Sequence, residues 1–377
     1  MGGGRDRRRA QNFAKYVTMN AGALPASDNI RQLGKTVNAD YWHGRTVLVT
    51  GGKGFIGAHF AEELTAAGAR VISLHRDASG QGNVTEVNDL GIQEIEVDLL
   101  STLDVNALFR YAAAKVDTLI HCAAIDGNSE FKRNNFGSIL DSNIRITSNV
   151  LNGARDHHIP NVVMLSSTEV YASDQVDLIA EEDDYRSKME LSGDGYRLSK
   201  VFAELLADAY RKQFDMRILL ARPTNVYGPG DGTNPRSQRV IPTMMSRISS
   251  GQPINIWGDG RQRRSFIYVK DLVHAVLQLS AKGSYDTFNI STPRLVSLLE
   301  LAKLLYREFD VAERIELEPD KPGGAAVREL DTTKMFDVID FAPRELEDGL
   351  AETVAWYRRT QSGDPSGGTL PPDPTRQ

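Results

Sequence analysis

The amino-acid sequence predicts an α/β fold built on a doubly wound parallel sheet, with a smaller C-terminal portion. Apolar strand-like runs alternate with helix-like segments between about residues 45 and 222, and a glycine-rich turn joins the first strand to the first helix. After Pro223 the segments become short and irregular. The alternation predicts right-handed β–α–β units with helices on both faces of a sheet. The irregular remainder predicts a substrate-binding portion beside the sheet.

The strands predicted for the sheet are apolar, largely β-branched runs, and they span residues 46–50, 69–74, 92–97, 117–122, 160–166 and 216–221. The helices predicted between them span residues 56–67, 103–115, 137–157 and 196–213. In the C-terminal portion the predicted strands are 253–257, 266–268 and 287–290, and the predicted helices are 239–250, 271–281 and 296–309. We find no internal repeat.

The length of 377 residues is enough for a large core and predicts two or three structural units. The predicted units are an N-terminal extension (1–44), a dinucleotide-binding domain (45–222, with segments that return to it later), a substrate-binding portion (223–360) and a tail (361–377). The tail is rich in Pro, Gly, Ser and Asp, a composition that predicts disorder.

The charge balance bears on the partners of this chain. A net charge of −6 and a pI near 5.7 argue against nucleic acid and anionic membranes. No apolar run approaches the roughly 20 residues that span a bilayer. The first ten residues lack the apolar core of a secretory signal, and the single cysteine, Cys122, fits a reducing compartment. The sequence therefore predicts a cytoplasmic protein, and we find no metal-binding motif in it.

The turn after the first strand predicts a dinucleotide site of the Rossmann type. Gly51 permits the tight turn, Gly54 lets the backbone approach a pyrophosphate, and Gly57 brings the helix against the strand. The helix N-terminus, at Phe55 and Ile56, then turns its free N–H groups to the phosphates. A plain glycine-rich turn is the alternative.

The end of the second strand bears on which dinucleotide binds. An acid at this position binds the ribose 2′-hydroxyl of NAD, whereas an arginine pairs with the 2′-phosphate of NADP. Here the strand ends in His75 and Arg76, which favours NADP. The alternative is that Asp77 serves as the acid. After the third strand, Asp98 can accept a hydrogen bond from the adenine amino group, or it can simply begin a turn.

Two further patterns indicate acid–base chemistry. Tyr196 and Lys200 are four residues apart, so they share one helix face, and a nearby cation lowers the pKa of a phenol. The strand that ends near residue 166 runs directly into Ser167, Thr168 and Glu169. The carboxyl ends of parallel strands are where such sheets bind ligands. A surface tyrosine–lysine pair and a simple Ser/Thr turn are the alternatives.

Taken together, these motifs resemble the extended short-chain dehydrogenase/reductases of the nucleotide-sugar epimerase/dehydratase family. The matching segments lie between about residues 44 and 356. They are 50–57 (TGGKGFIG), 121–124 (HCAA), 143–149 (NIRITSN), 166–171 (SSTEVY), 196–200 (YRLSK), 222–229 (RPTNVYGP), 257–260 (WGDG) and 264–271 (RSFIYVKD).

The resemblance implies a role for each matching position. Tyr196 is then the catalytic acid/base, Lys200 binds the nicotinamide ribose and tunes Tyr196, and Ser167 hydrogen-bonds the reacting sugar hydroxyl. Asn225 and Arg264 hold the diphosphate of a nucleotide-diphosphate sugar. The implied NAD(P) contacts are Gly51, Gly54, Phe55, Ile56, Gly57, His75, Arg76, Asp98, Leu99, Ala123, Ala124, Asn143, Tyr196 and Lys200. From the residues alone, Asn225 can instead shape a turn and Arg264 can pair with Asp271.

The reaction itself depends on the residues beside Ser167. The resemblance implies a 4-keto sugar intermediate, and we favour return of the hydride to its other face, which makes the chain an epimerase. Alternatives are a 4,6-dehydratase or decarboxylase with Glu169 as base, and an NADPH-dependent ketosugar reductase. A regulator without turnover is a further alternative. Thr168 stands where dehydratases carry an aspartate, Ala172 replaces a glycine, and the loop 173–194 is long and acidic. A homodimer through the helices 137–157 and 196–213 is also implied.

Overall fold

The computed structural model describes residues 38–76, 85–112, 116–172, 178–186, 194–233, 239–321 and 327–362. Its strands are β1 (Thr46–Thr50), β2 (Arg70–His75), β3 (Thr85–Val87), β4 (Gln93–Glu96), β5 (Thr118–His121), β6 (Asn161–Leu165), β7 (Arg217–Pro223), β8 (Asn225–Tyr227), β9 (Ile254–Trp257), β10 (Arg263–Tyr268), β11 (Thr287–Ile290), β12 (Leu295–Ser297), β13 (Ile315–Glu318) and β14 (Val327–Arg328).

The helices are α1 (Ala39–Trp42), α2 (Phe55–Ala66), α3 (Thr102–Ala112), α4 (Ser129–Asn134), α5 (Phe136–Asp156), α6 (Gly195–Phe214), α7 (Val240–Ser249), α8 (Val269–Ala281), α9 (Leu298–Glu308), α10 (Thr333–Val338) and α11 (Leu346–Gln361). A short 3₁₀ turn, Thr168–Val170, follows β6. Every strand and helix predicted from the sequence is present, and the bounds differ by three residues or fewer. The last predicted residues of the 103–115 helix lie outside the described residues.

The central sheet has the strand order β11-β7-β6-β5-β1-β2-β4-β3. All neighbouring strands are parallel except β3, which runs antiparallel to β4 at the edge. The chain starts in the middle at β1, builds outward to β4, and then crosses to β5 and builds the other way. This reversal confirms the predicted Rossmann-type doubly wound fold, because it opens a crevice at the carboxyl ends of β1 and β5.

Apolar layers cover both faces of the sheet because successive side chains of a strand point to opposite sides. In β1, Val47 and Val49 join one buried layer with α2 and α8, and Leu48 joins the other layer with α3, α5 and α6. Every residue of β1, β5 and β6 is buried. This explains why these strands read as continuous apolar runs in the sequence.

The C-terminal portion has its own apolar cluster, formed by α7, α9 and α11 with side chains of β8, β9 and β10. Two small sheets support it, one of β12-β10-β14 with β8 paired to β10, and one of β13-β9. Two of its segments return to the main domain, since β11 extends the central sheet and α8 packs on it. Trp42 of α1, in the predicted N-terminal extension, is completely buried in the main core.

The elements that the sequence did not predict are mostly short. β3, β8, β12, β13 and β14 have two to four residues each, too few for a periodic pattern. The exception is α11, which has 16 residues and buries Leu346, Leu350 and Val354 at helical spacing. No helix in the described part of the chain is long and apolar enough to cross a membrane.

Candidate active site

The glycine turn after β1 has the close-packed geometry that a dinucleotide requires. Gly51 has a φ of +68°, a conformation that favours glycine. A Cβ atom on Gly57 would lie 2.2 Å from the carbonyl oxygen of Gly51, so α2 meets the turn too closely for any side chain. Gly54 is the N-cap residue of α2 and has no side chain to cap the helix. The first N–H groups, at Phe55 and Ile56, are therefore available to an anion. These residues fit the pyrophosphate of a dinucleotide.

Two basic side chains near the end of β2 lie against two glutamates of β4. His75 pairs in register with Glu96, and its Nε2 lies 3.5 Å from the Glu96 carboxylate. The ammonium of Lys53, in the glycine turn, lies 2.7 Å from Glu94. Arg76 is exposed at the same edge. Asp77, the alternative acid, lies outside the described residues. Lys53 did not figure among the predicted contacts, although its place between Gly52 and Gly54 is a visible signal.

The loops after β4 and β5 complete this edge. Asp98 accepts a hydrogen bond from the N–H of Leu100 at 3.0 Å and so begins a turn, while its role toward the adenine stays a prediction. Ala123 packs against the backbone of Gly51, and Ala124 next to it is exposed. Leu99 is buried beneath the turn.

Asn143 of α5 acts on the loop after β5. Its amide exchanges two hydrogen bonds with the backbone of Ile125, at 2.7 and 2.9 Å, and donates a third to Ser199. Asn143 is buried, so these hydrogen bonds attach the loop after β5 to α5.

Tyr196 and Lys200 share one face of α6, as the spacing predicts. Asp194 caps the helix by accepting the N–H groups of Tyr196 and Arg197. The Lys200 ammonium donates to the carbonyl oxygen of Leu165 at 2.7 Å and lies 5.5 Å from the Tyr196 ring centroid. Since Leu165 ends β6, this bond holds the lysine at the carboxyl end of the sheet.

The electrostatics of Tyr196 differ from the sequence-based expectation. Burial raises the pKa of Tyr196 well above its ordinary value, and Asp126 and Glu169 raise it further. Arg239 and a hydrogen bond with Ser167 oppose this shift. The sequence predicts a lowered pKa from Lys200 alone, and the net shift goes the other way because burial and two carboxylates outweigh the cations. Tyr196 is therefore a protonated phenol at neutral pH.

Glu169, the predicted base, is held in an ion pair that the sequence did not predict. Lys132 of α4 donates to both carboxylate oxygens of Glu169, at 3.0 and 3.2 Å. The same ammonium lies 3.2 Å from Asp126 and 4.2 Å from the centroid of the Tyr196 ring. Nothing in the sequence signals this, since Lys132 is one basic residue in a short polar helix, 37 positions before Glu169.

A buried ionic network lies beneath this loop. The guanidinium of Arg222 at the end of β7 donates to Glu204 of α6 and to Asp184, each at 2.6 Å. Ser166 donates to the same Glu204, and Tyr171 receives a bond from Arg222 at 2.9 Å. The segment that carries Ser167, Thr168 and Glu169 is therefore attached to Arg222 at both ends. Ser166 reaches Arg222 through Glu204, and Tyr171 contacts it directly.

A cluster of guanidinium groups lies on the strands of the C-terminal portion. Asn225 of β8 donates to the carbonyl oxygen of Ser265 at 2.9 Å, next to Arg264 of β10. Arg264 pairs in register with Arg328 of β14, and each arginine is half-buried. Burial lowers the pKa of both guanidinium groups, and Arg264 lowers that of Arg328 further. Arg264 does not pair with Asp271, which binds Arg344 instead. Such neighbouring cations suit a bound polyanion.

Cys122 lies at the end of β5, and burial raises the pKa of its thiol to about 12. This fits a neutral packing residue better than a nucleophile. Among the described residues, no group of three or more His, Cys, Asp or Glu side chains is placed to hold a metal ion.

Comparison with known proteins settles the family. The model of the NAD dependent epimerase/dehydratase family matches residues 47–291, more than half of the chain. The chain belongs to this family. The resemblance drawn from the motifs is therefore confirmed.

Individual proteins of known activity are similar to this chain over most of its length. The chain is 45% identical to a dTDP-4-dehydro-6-deoxy-D-allose reductase of Streptomyces bikiniensis, over 85% of this chain and 99% of that protein. A second such reductase, from another Streptomyces, is also 45% identical over the same shares. The fold is similar to that of a UDP-glucose 4-epimerase of Thermotoga maritima, with a TM-score of 0.73, 24% identity, and coverage of 84% of this chain and 99% of that one.

Proposed function

We propose that this family member is an NADPH-dependent reductase of a nucleotide-diphosphate 4-keto-6-deoxy sugar. The observation that carries the proposal is the 45% identity to dTDP-4-dehydro-6-deoxy-D-allose reductases over nearly their whole length. The motifs alone favoured an epimerase, with a ketosugar reductase as an alternative. The likeness to an epimerase structure is only 24% identical and supports the fold rather than the reaction.

Tyr196 is the proposed proton donor for the reduction. A ketone that is reduced needs a proton at its oxygen, and a protonated phenol, which the raised pKa of Tyr196 favours, can supply it. Ser167, which shares a hydrogen bond with Tyr196, orients the same oxygen. The ammonium groups of Lys132 and Lys200, 4.2 and 5.5 Å from the ring centroid, stabilise the phenolate that forms after proton transfer. Bound NADPH would supply the hydride.

The preference for NADPH rests on Lys53 of the glycine turn and on His75 and Arg76 at the end of β2, because a Rossmann-type fold receives the adenosine ribose beside these two segments. Lys53 and Arg76 would pair with the 2′-phosphate, because an ammonium and a guanidinium suit that group. The glycine turn and the remaining predicted contacts would hold the dinucleotide itself.

Replacing Lys53 with alanine is expected to raise the KM for NADPH about tenfold or more, the loss that one charge-assisted hydrogen bond represents. The KM for NADH is expected to stay nearly unchanged, since NADH has no 2′-phosphate. Steady-state kinetics with both cofactors measure this, and Arg76→Ala is expected to behave alike. Equal losses for the two cofactors would contradict the 2′-phosphate assignment.

For the substrate, Asn225, Arg264 and Arg328 would hold the diphosphate. Arg264 and Arg328 are adjacent cations, and the Nε of Arg328 is buried without a hydrogen-bond partner among the described residues. An anion there would relieve the repulsion between the two guanidinium groups.

We also propose a homodimer formed through α5 and α6. These helices pack together, with Tyr210 donating to Asn152 at 2.7 Å, while Leu205 of α6 is 46% exposed. Light scattering of the purified protein tests this assembly. The cytoplasmic location stays a prediction from the sequence.

The test of the function is incubation of the purified protein with NADPH and a dTDP-4-dehydro-6-deoxyhexose, followed by absorbance at the NADPH band and mass spectrometry. We expect one NADPH consumed for each sugar and a product heavier by two hydrogen atoms. A panel of UDP-, GDP- and dTDP-sugars with NAD⁺ serves as the comparison. An isobaric product without NADPH consumption would establish an epimerase and overturn the reductase proposal.

A further inference from the structure

The Lys132–Glu169 pair lies where it can decide which reaction a 4-keto sugar undergoes. Glu169 follows Ser167 by two residues, and its N–H donates to the Ser167 hydroxyl at 3.1 Å. Its charge acts on the Tyr196 phenol, so the carboxylate lies within electrostatic reach of the proton donor. The Glu169 side chain is 38% exposed, so it is not sealed in the core.

A free carboxylate at this position could remove a proton from the keto sugar before a reductase reduces it. The C–H bonds beside the C4 carbonyl of a keto sugar are acidic, and a carboxylate in reach removes such a proton as a general base. Burial, Asp126 and Asp194 each raise the pKa of Glu169, which makes the unpaired carboxylate a stronger base. Lys132 opposes this rise without cancelling it, so the pKa of Glu169 stays above its ordinary value, and the mask is the ammonium bound to both carboxylate oxygens.

Lys132 is fixed in a position that blocks the carboxylate. Its ammonium contacts both oxygens of Glu169 and also Asp126, and only 14% of its side chain is exposed. Burial lowers the pKa of Lys132, but Glu169, Asp126 and Asp194 outweigh it, so the amine stays charged. Arg328, another cation within electrostatic reach of Glu169, donates to the carbonyl oxygens of Thr168 and Tyr171 instead.

We propose that Lys132 is a specificity-determining residue that masks Glu169, so that the bound keto sugar is reduced before its ring carbons lose a proton. This inference rests on the proposed reductase function. Thr168, where dehydratases carry an acid, works in the same direction because it withholds the partner that elimination requires.

The suppressed step can be written in full. Without Lys132, the Glu169 carboxylate takes the proton from the carbon beside C4, and the C–H electron pair forms a C=C bond to C4. The carbonyl electrons move to the C4 oxygen, where Tyr196 donates a hydrogen bond or its proton. Return of a proton from Glu169 to the same carbon, on the face from which it was taken, restores the ketone, so nothing is oxidised or reduced. In deuterated water the returned proton is a deuteron.

The test uses full-length Lys132→Met with a dTDP-4-dehydro-6-deoxyhexose in deuterated water, with NADP⁺ present and NADPH omitted. Deuterium uptake at the ring carbons is followed by NMR and mass spectrometry. We expect exchange about 10²-fold or more faster than in the wild-type protein, the size of a general-base contribution. Lys132→Met/Glu169→Gln is expected to return exchange to the wild-type rate, and Lys132→Arg is expected to keep it low.

A matched control is Lys270→Met, which removes a lysine that lies 3.4 Å from Glu63, in the ion pair of α8 with α2. It is expected to leave exchange unchanged. Rapid exchange in the wild-type protein, or no gain in Lys132→Met, would overturn the masking role. A wild-type protein that fails to reduce the keto sugar with NADPH would instead overturn the proposed function, so the two failures are separate observations.

Discussion

Tyr196→Phe is expected to lower kcat for ketosugar reduction by about 10²- to 10⁴-fold, the contribution of a positioned proton donor. The phenyl ring keeps the packing of α6 but cannot protonate the ketone oxygen. The dissociation constant for NADPH, measured by fluorescence titration, is expected to change little. Single-turnover kinetics at saturating NADPH isolate the chemical step.

The matched control is Tyr210→Phe on the same helix, whose hydroxyl donates to Asn152 at 2.7 Å, away from the crevice. It is expected to retain nearly full activity. If Tyr196→Phe also kept most of its kcat, another group would have to protonate the sugar, and the assignment of Tyr196 would be wrong.

Arg222→Leu is expected to lower the free energy of unfolding by about 3–5 kcal/mol. Arg222, Glu204 and Asp184 are each at most 1% exposed, so removal of the guanidinium leaves the Glu204 carboxylate buried without this cation and leaves Asp184 with Arg186 alone. Urea denaturation followed by circular dichroism and fluorescence measures the loss, provided that the two transitions coincide.

The control for this prediction is Arg186→Leu, because Arg186 also contacts Asp184 at 2.6 Å but is 52% exposed. Solvent screens such a pair, so its removal is expected to cost about 1 kcal/mol or less. Equal losses in the two variants would contradict the special role of the buried arginine.

The pH dependence of Arg222→Leu follows from the same network. Burial pushes the pKa of Asp184 up, but Arg186 and Arg222 outweigh it and hold the pKa below its ordinary value. Arg222 therefore adds stability through Asp184 when the pH is above the unfolded pKa of that carboxyl, and this stability is lost as the pH falls through the lowered folded-state pKa. The deficit of Arg222→Leu is therefore expected to be smaller at about pH 3.5 than at about pH 7.

Much of the fold could be predicted because its signals are local. The apolar runs of β1, β5 and β6 mark strands that are buried on both faces, and the spacing of Gly51, Gly54 and Gly57 marks the turn between β1 and α2. The five short unpredicted strands carry no such pattern, since two to four residues cannot show a period. They form because other strands, close to them in the folded chain, have unpaired edges with which they can form hydrogen bonds.

Part of the site could also be predicted from the sequence. A spacing of four residues places Tyr196 and Lys200 on one helix face wherever the helix lies. The sign of the pKa shift at Tyr196 was not accessible, because it depends on burial and on Asp126 and Glu169, which are distant in the sequence. The motifs also left the reaction open, and the similarity to the Streptomyces reductases favours the alternative over the epimerase.

The order of strands and helices, the dinucleotide turn and the family motifs could be predicted from the sequence, because each depends on residues close together in the chain, and the parallel sheet followed from the alternation of strands and helices. Three contacts could be seen only in the folded chain, namely Lys132 with Glu169, Arg264 beside Arg328, and Arg222 with both Glu204 and Asp184. Those contacts join residues 18 to 64 positions apart. The partner of a charged side chain is set by distance in the folded chain, so it cannot be predicted from the position of the residue in the sequence.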